Sequence, residues 1–117
     1  YVVSELGKRK IAYLHIIEGE TGGPRDANPK VNFAELKKLF KSHGGMNIMT
    51  NNGYHKAMAE SAIDNNEADL IAFGVPFLAN PDLVNRLENN YPLNKPDQKT
   101  FYGGTEKGYT DYPFYSS

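Results

Sequence analysis

Met46-Asn47-Ile48-Met49-Thr50, Asn51-Asn52-Gly53 and Ala68-Asp69-Leu70-Ile71-Ala72-Phe73 decide the fold, together with the Ala- and Met-rich residues 55–66 between them. The first run is apolar and of strand length. Asn-Asn-Gly is a turn signal, because Asn and Gly tolerate positive φ. Residues 55–66 read as a helix, and 68–73 as another strand. Gly74-Val75-Pro76 closes that strand, since neither Gly nor Pro easily continues a central ladder. Strand, helix and strand in this order predict a right-handed crossover and a parallel pair.

The same alternation extends to both sides. Ile11-Ala12-Tyr13-Leu14-His15-Ile16-Ile17 is nearly continuous in apolar character, which fits a strand covered on both faces. Before it, Val2, Val3 and Leu6 lie at helical spacing, with Gly7 placed as a C-cap. Residues 18–31, with three glycines and two prolines, read as a loop. Asn32 then caps a helix over 33–42, with Phe33, Leu36, Leu39 and Phe40 on one stripe. The charged residues between Glu35 and Lys41 read as its solvated face. Further on, Asn80-Pro81 predicts a cap and first-position proline for a helix reaching about Asn89. Residues 91–117 are rich in Pro, Gly and Tyr, without a period, and read as a tail laid over a core. Three strands are few for a parallel sheet, whose edges would both stay open, so the pattern points to strands outside this stretch.

Composition narrows the function. Of 117 residues, 13 are basic and 14 acidic, for a net charge of −1, so no field of one sign invites nucleic acid or an anionic membrane. Cysteine is absent, which excludes disulfides and thiolate metal sites and suits a reducing, cytoplasmic setting. No apolar run approaches the roughly 20 residues of a membrane span. No basic-then-apolar leader is visible, and the chain opens on Tyr1 rather than Met, as a processed, tagged or truncated product would.

Three places could carry chemistry. The turns at 51–54 and 73–75 both follow strands and precede helices. There, backbone amides point outward and a helix N-terminus adds partial positive charge. In a parallel barrel, two such turns make a phosphate cradle, and Gly53 and Gly74 would allow close approach. Ordinary turn glycines would look the same. On the first strand, His15 shares a face with Tyr13 and Ile17 while Glu18 lies on the other, so they do not form an acid–base pair. His15 reads as a core histidine and Glu18 as a strand-end carboxylate. No His-x-x-x-His spacing and no Gly-x-Ser-x-Gly elbow is present, so neither a metal site nor a serine nucleophile is expected. The aromatics from Phe101 to Pro113 would either close over a pocket or bury their own rings.

Several motifs together resemble the carboxy-terminal third of old yellow enzymes. They are Tyr13-Leu14-His15, Asn52-Gly53-Tyr54 and Ala72-Phe73-Gly74-x-x-Phe77-Leu78-Ala79-Asn80-Pro81-Asp82-Leu83-Val84-x-Arg86-Leu87. Pro92-Leu93-Asn94, Thr100-Phe101-Tyr102-Gly103-Gly104 and Gly108-Tyr109-Thr110-Asp111-Tyr112-Pro113 complete the set. The resemblance covers essentially the whole chain. It implies an α/β fold whose parallel (β/α) units are the last three strands of a TIM (β/α)8 barrel. Residues 1–90 would belong to the barrel, and 91–117 would form a long aromatic C-terminal tail packed over it.

The family implied is one of FMN-dependent oxidoreductases that use NAD(P)H to reduce activated C=C bonds. Hydride passes from flavin to the β-carbon, and a tyrosine typically protonates the α-carbon. Carried over by motif, the residues binding the FMN phosphate are Asn52, Gly53, Gly74 and Val75, and Tyr102 lines the substrate side of the pocket. No catalytic residue falls in this stretch, because the resemblance puts the substrate-binding His/Asn or His/His pair and the proton-donating tyrosine on strands one to five. Many members carry Arg where Val75 stands, a charge-assisted phosphate contact of about 1.5–3 kcal/mol that is absent here. The implied partners are the remainder of the barrel, in the same parent chain or a second one, and a small activated alkene. A stand-alone phosphate- or nucleotide-binding half-barrel without catalysis, or a non-catalytic remnant, is the alternative.

Overall fold

Alternating strand and helix signals build a three-stranded parallel sheet in the computed structural model, which describes residues 1–20, 23–24 and 31–116. The chain forms two compact units, residues 1–72 and 73–117.

In the first unit, α1 (Val2–Lys8) precedes β1 (Tyr13–Ile17), α2 (Phe33–Ser42), β2 (Asn47–Asn51), α3 (Lys56–Asp64) and β3 (Leu70–Ile71). The sheet order is β1-β2-β3. Tyr13 pairs with Asn47, Ile17 with Asn51, and Met49 with Leu70. Asn32 caps α2 as expected, its side chain accepting from the Glu35 amide at 3.0 Å. The core holds Phe40, Ile48, Tyr54, Ala62 and Ala68.

Gly7 is not a C-cap. It sits inside α1 and is buried, and a Cβ there would stand 2.6 Å from the Phe40 carbonyl oxygen and 2.9 Å from the His43 Cβ. Glycine is needed for the close approach of α1 to α2. The strand expected over 68–73 is regular only at Leu70 and Ile71, flanked by backbone bonds from the Asp69 amide to the Ile48 carbonyl and from the Ala72 amide to the Thr50 carbonyl, both 2.9 Å, and side chains add to them. Asp69 Oδ2 accepts from the Ile48 amide at 2.8 Å, and Asn51 Nδ2 donates to the Ala72 carbonyl at 2.7 Å. The first strand is not covered on both faces within this unit. Tyr13, His15, Ile17 and Leu70 lie exposed, so His15 is outside the core of this unit.

The charged stretch of α2 is not wholly solvated either. Lys37 is 7% exposed, and its ammonium lies 3.2 Å from Asp69 Oδ1, which Lys41 also reaches at 2.8 Å. Lys37 follows Phe33 and precedes Phe40 on the apolar stripe. That position dictates burial, and the Asp69 carboxylate makes burial tolerable.

In the second unit, α4 (Val75–Ala79) was not expected, and α5 (Leu83–Asn89) starts later than Asn80-Pro81 suggested. Asn80 does not cap α5. It is 1% exposed, donates to the Pro76 carbonyl at 2.8 Å and accepts from the Asn94 amide at 2.7 Å. A short 3-10 turn at Gln98–Thr100 is the only regular element described beyond α5. Among the described residues, no helix is long and apolar enough to cross a membrane.

Candidate functional site

The turn between β2 and α3 combines an unusual backbone with dense anchoring. Asn52 has φ 110° and Gly53 φ 67°. Gly53 is exposed, and a Cβ at that position would meet nothing within 4 Å, so its glycine answers to backbone conformation rather than to crowding. Asn52 is held by its own side chain. Its Nδ2 lies within hydrogen-bond reach of the carbonyls of Glu18 (3.0 Å), Glu20 (3.0 Å) and Gly23 (3.2 Å). His55 then caps α3, its Nδ1 accepting from the Met58 amide at 3.4 Å.

Behind this turn runs a buried polar chain. Thr50 Oγ1 donates to the Tyr54 hydroxyl at 3.1 Å, and that hydroxyl donates to Glu18 Oε2 at 2.9 Å. Glu18 was expected only as a strand-end carboxylate. Tyr54 was noted only as part of a motif. The sequence carries no local signal for their meeting, because 36 positions separate them.

In the second unit, Gly74 and Val75 form the entry to α4. Gly74 has φ −89°, an ordinary value, and it too faces open space. The first helical hydrogen bond runs from the Leu78 amide to the Gly74 carbonyl at 3.0 Å. The amides of Val75 and Phe77 therefore have no acceptor within the helix, and Pro76 has no N–H to offer. The Val75 side chain is exposed and adds no charge.

The tail is held by α5. Arg86 is 3% exposed. Its Nε donates to Asp82 Oδ1 at 2.6 Å, Nη1 to the Pro92 carbonyl at 2.6 Å, and Nη2 to the Pro113 carbonyl at 2.8 Å. Asn94 Nδ2 donates to the same Pro113 carbonyl at 2.8 Å, and the Tyr115 amide donates to Asp82 Oδ2 at 2.8 Å. Tyr115 stacks on Tyr91 at 4.0 Å. Burial works to raise the Asp82 carboxyl pKa, but the Tyr115 amide and the Arg86 guanidinium outweigh it and hold it below its ordinary value. The Asp82/Arg86 spacing of four was the available signal, since such pairs meet on one helix face.

Between Pro92 and Pro113 the chain makes a loop. Tyr102 lies on it, 93% exposed, with its ring edge-on to Phe101. A cleft of about 390 Å³ is lined by Phe77, Leu78, Pro81, Tyr109, Thr110 and Tyr112. Tyr102 does not line it.

Comparison with known proteins follows the same stretches. Residues 1–94 match the model of the NADH:flavin oxidoreductase / NADH oxidase family. A 12-oxophytodienoate reductase-like protein of Solanum lycopersicum is 44% identical over 115 residues, covering 97% of this chain and 30% of the relative. A "probable flavin mononucleotide-dependent alkene reductase" of Leishmania infantum is 37% identical over 114 residues, covering 97% and 29%. Morphinone reductase, solved in complex with tetrahydroNAD, superposes with a TM-score of 0.81 at 39% identity, over 99% of this chain and 29% of that one. The chain thus spans about 30% of the length of the relatives it matches.

Proposed function

Because this chain belongs to the NADH:flavin oxidoreductase / NADH oxidase family, the old yellow enzymes, we propose that it supplies the flavin-phosphate end of an FMN-dependent oxidoreductase. In this reading, β1, β2 and β3 are the last three strands of a (β/α)8 barrel. Residues 1–90 belong to the barrel, and 91–117 form the tail over it. The rest of the barrel comes from the same parent chain or from a second one, and the setting is cytoplasmic.

The observation that carries the proposal is the Asn52–Gly53 turn. Two successive residues at positive φ turn the backbone just before the start of α3, and Gly53 is exposed with nothing within 4 Å of where a Cβ would stand. That donor set suits a phosphate oxygen, which backbone amides bind without a side-chain charge. The Gly74–Val75 turn offers the same chemistry in the second unit, with the Val75 amide lacking a helical acceptor. Asn52, Gly53, Gly74 and Val75 would hold the FMN phosphate, and Tyr102 would face the substrate. Reduction of an activated C=C bond by NAD(P)H is the chemistry that flavin supplies when bound. No residue of this chain takes the proton-donating role, so the chain alone is expected to be inactive.

Gly74→Val is the cleaner test of the phosphate reading. Gly53 has a positive φ and would be strained by any side chain, whereas Gly74 has neither a positive φ nor a neighbour within 4 Å. In the intact barrel protein, FMN absorbance should co-elute with the wild type, and Gly74→Val should weaken FMN binding about tenfold or more, the equivalent of one hydrogen bond to a charged group. A colourless wild type that takes up no FMN would overturn the proposal. Equal uptake of unrelated phosphates would favour the non-catalytic half-barrel.

A further inference from the structure

Three neighbouring residues of the β2–α3 turn converge on one buried acid. The Glu18 amide donates to the Asn51 carbonyl at 2.9 Å, and the Glu18 carbonyl accepts from Asn52 Nδ2 at 3.0 Å. The Glu18 carboxylate accepts from the Tyr54 hydroxyl at 2.9 Å, and Thr50 Oγ1 donates to that hydroxyl at 3.1 Å. Glu18 is 6% exposed, Tyr54 7% and Thr50 1%. Gly53 sits between these ties and stays exposed.

A carboxylate is costly to bury, and its burial is tolerated where hydrogen bonds compensate it. An asparagine at φ 110° likewise persists only where its surroundings over-determine it. Both conditions meet on the two sides of the Gly53 peptide. The β1 end and the β2–α3 turn are thereby tied together by side chains on both sides of Gly53, while the space at the Gly53 Cα stays open. Directed donors bind an anion more tightly when they are held in place beforehand.

We propose that Glu18 and Tyr54 are positioning residues for the flavin phosphate, acting through the Asn52–Gly53 turn. The inference rests on the reading of that turn as a phosphate site. It predicts an effect on the phosphate alone. Riboflavin carries the same ring system as FMN but no phosphate, so the ratio of the two affinities isolates it. A merely structural role would weaken both ligands together.

The experiment uses the full-length protein freed of flavin and titrated with FMN and with riboflavin. Wild type should prefer FMN. Tyr54→Phe and Glu18→Leu should each cut that preference roughly tenfold, as expected for one mispositioned hydrogen bond to a charged group, and leave riboflavin affinity unchanged. Glu18→Gln keeps an accepting oxygen for the Tyr54 hydroxyl and should restore the preference. Tyr54→Phe removes a single oxygen and keeps the question open to test should Glu18→Leu fail to fold. Variants that keep the wild-type preference, or that lose both flavins equally, overturn the positioning role. A wild type that binds FMN and riboflavin alike overturns the phosphate reading itself, and the positioning role with it.

Discussion

Residues 1–72 and residues 73–116 hold themselves together in different ways. The first unit pairs its backbone in a parallel sheet and buries Phe40, Ile48, Tyr54, Ala62 and Ala68. The second has no strand among its described residues, and its buried hydrophobics are only Ala79 and Leu83. Its two other buried side chains, Asn80 and Arg86, are polar. They and Asn94 serve backbone groups, at Pro76, Pro92, Asn94, Ala79 and Pro113. The difference follows from hydrogen-bond accounting. Every buried carbonyl needs a donor, and a segment with neither sheet nor long helix must take donors from side chains. A proline-rich tail sharpens this need, because each proline keeps its carbonyl but has no N–H.

The largest expected effect tests the apolar side of this contrast. Phe40→Ala should destabilise the first unit by about 3–5 kcal/mol, since the ring is fully buried and Gly7 and Gly45 are both shaped around α2 there. Hydrogen exchange should rise across residues 1–72. A loss below about 1 kcal/mol in chemical denaturation would mean that the core lies elsewhere.

Arg86→Ala probes the polar side. It removes the Arg86 donor from the Pro92 carbonyl, an orphaned acceptor costing about 1–3 kcal/mol, while the Pro113 carbonyl keeps its bond from Asn94. Limited proteolysis should then cut within 91–115 faster than it does in the wild type. An unchanged cleavage pattern would show that the stacked Tyr91 and Tyr115 rings hold the tail without the guanidinium.

The smallest effect concerns the ionic group of the first unit. Burial tends to raise the Asp69 carboxyl pKa. Lys41, the Ile48 amide and Lys37 more than offset this, and hold it below the ordinary value of 3.8. A depressed folded pKa contributes stability that is present above the unfolded value and is lost as pH falls through the folded one. The melting temperature of the wild type should therefore drop more than that of Asp69→Asn between about pH 5 and about pH 3. Parallel curves for the two proteins would show that Asp69 contributes no acid-labile stability.

Much of the β/α order was legible because each signal is local. Asn32 caps α2 where its side chain and the following stripe said it would, and Asn51-Asn52-Gly53 turns the chain where positive φ is needed. The misreadings share one cause. Gly7, Lys37 and Asn80 each fit a local rule, as C-cap, solvated charge and N-cap, and each was reassigned by a partner distant in sequence. Gly7 answers to Phe40, Lys37 to Asp69 and Asn80 to Asn94. The candidate site divides in the same way. The glycines at 53 and 74 were visible as turn residues. Only Gly53 proved to need its glycine for a positive φ, and the ties from Glu18 and Tyr54 were invisible.

The amino-acid sequence alone therefore determined the strand and helix order of the first unit, its parallel pairing, the family and the position of the Asn51-Asn52-Gly53 turn. These rest on periodicity, turn chemistry and motif, which act over a few residues. Tertiary structure alone decided which polar groups became buried and what ties the turn at Gly53 in place. Such groups are set by partners tens of positions away, and a buried lysine or glutamate is tolerated only once the fold has brought its partner to it.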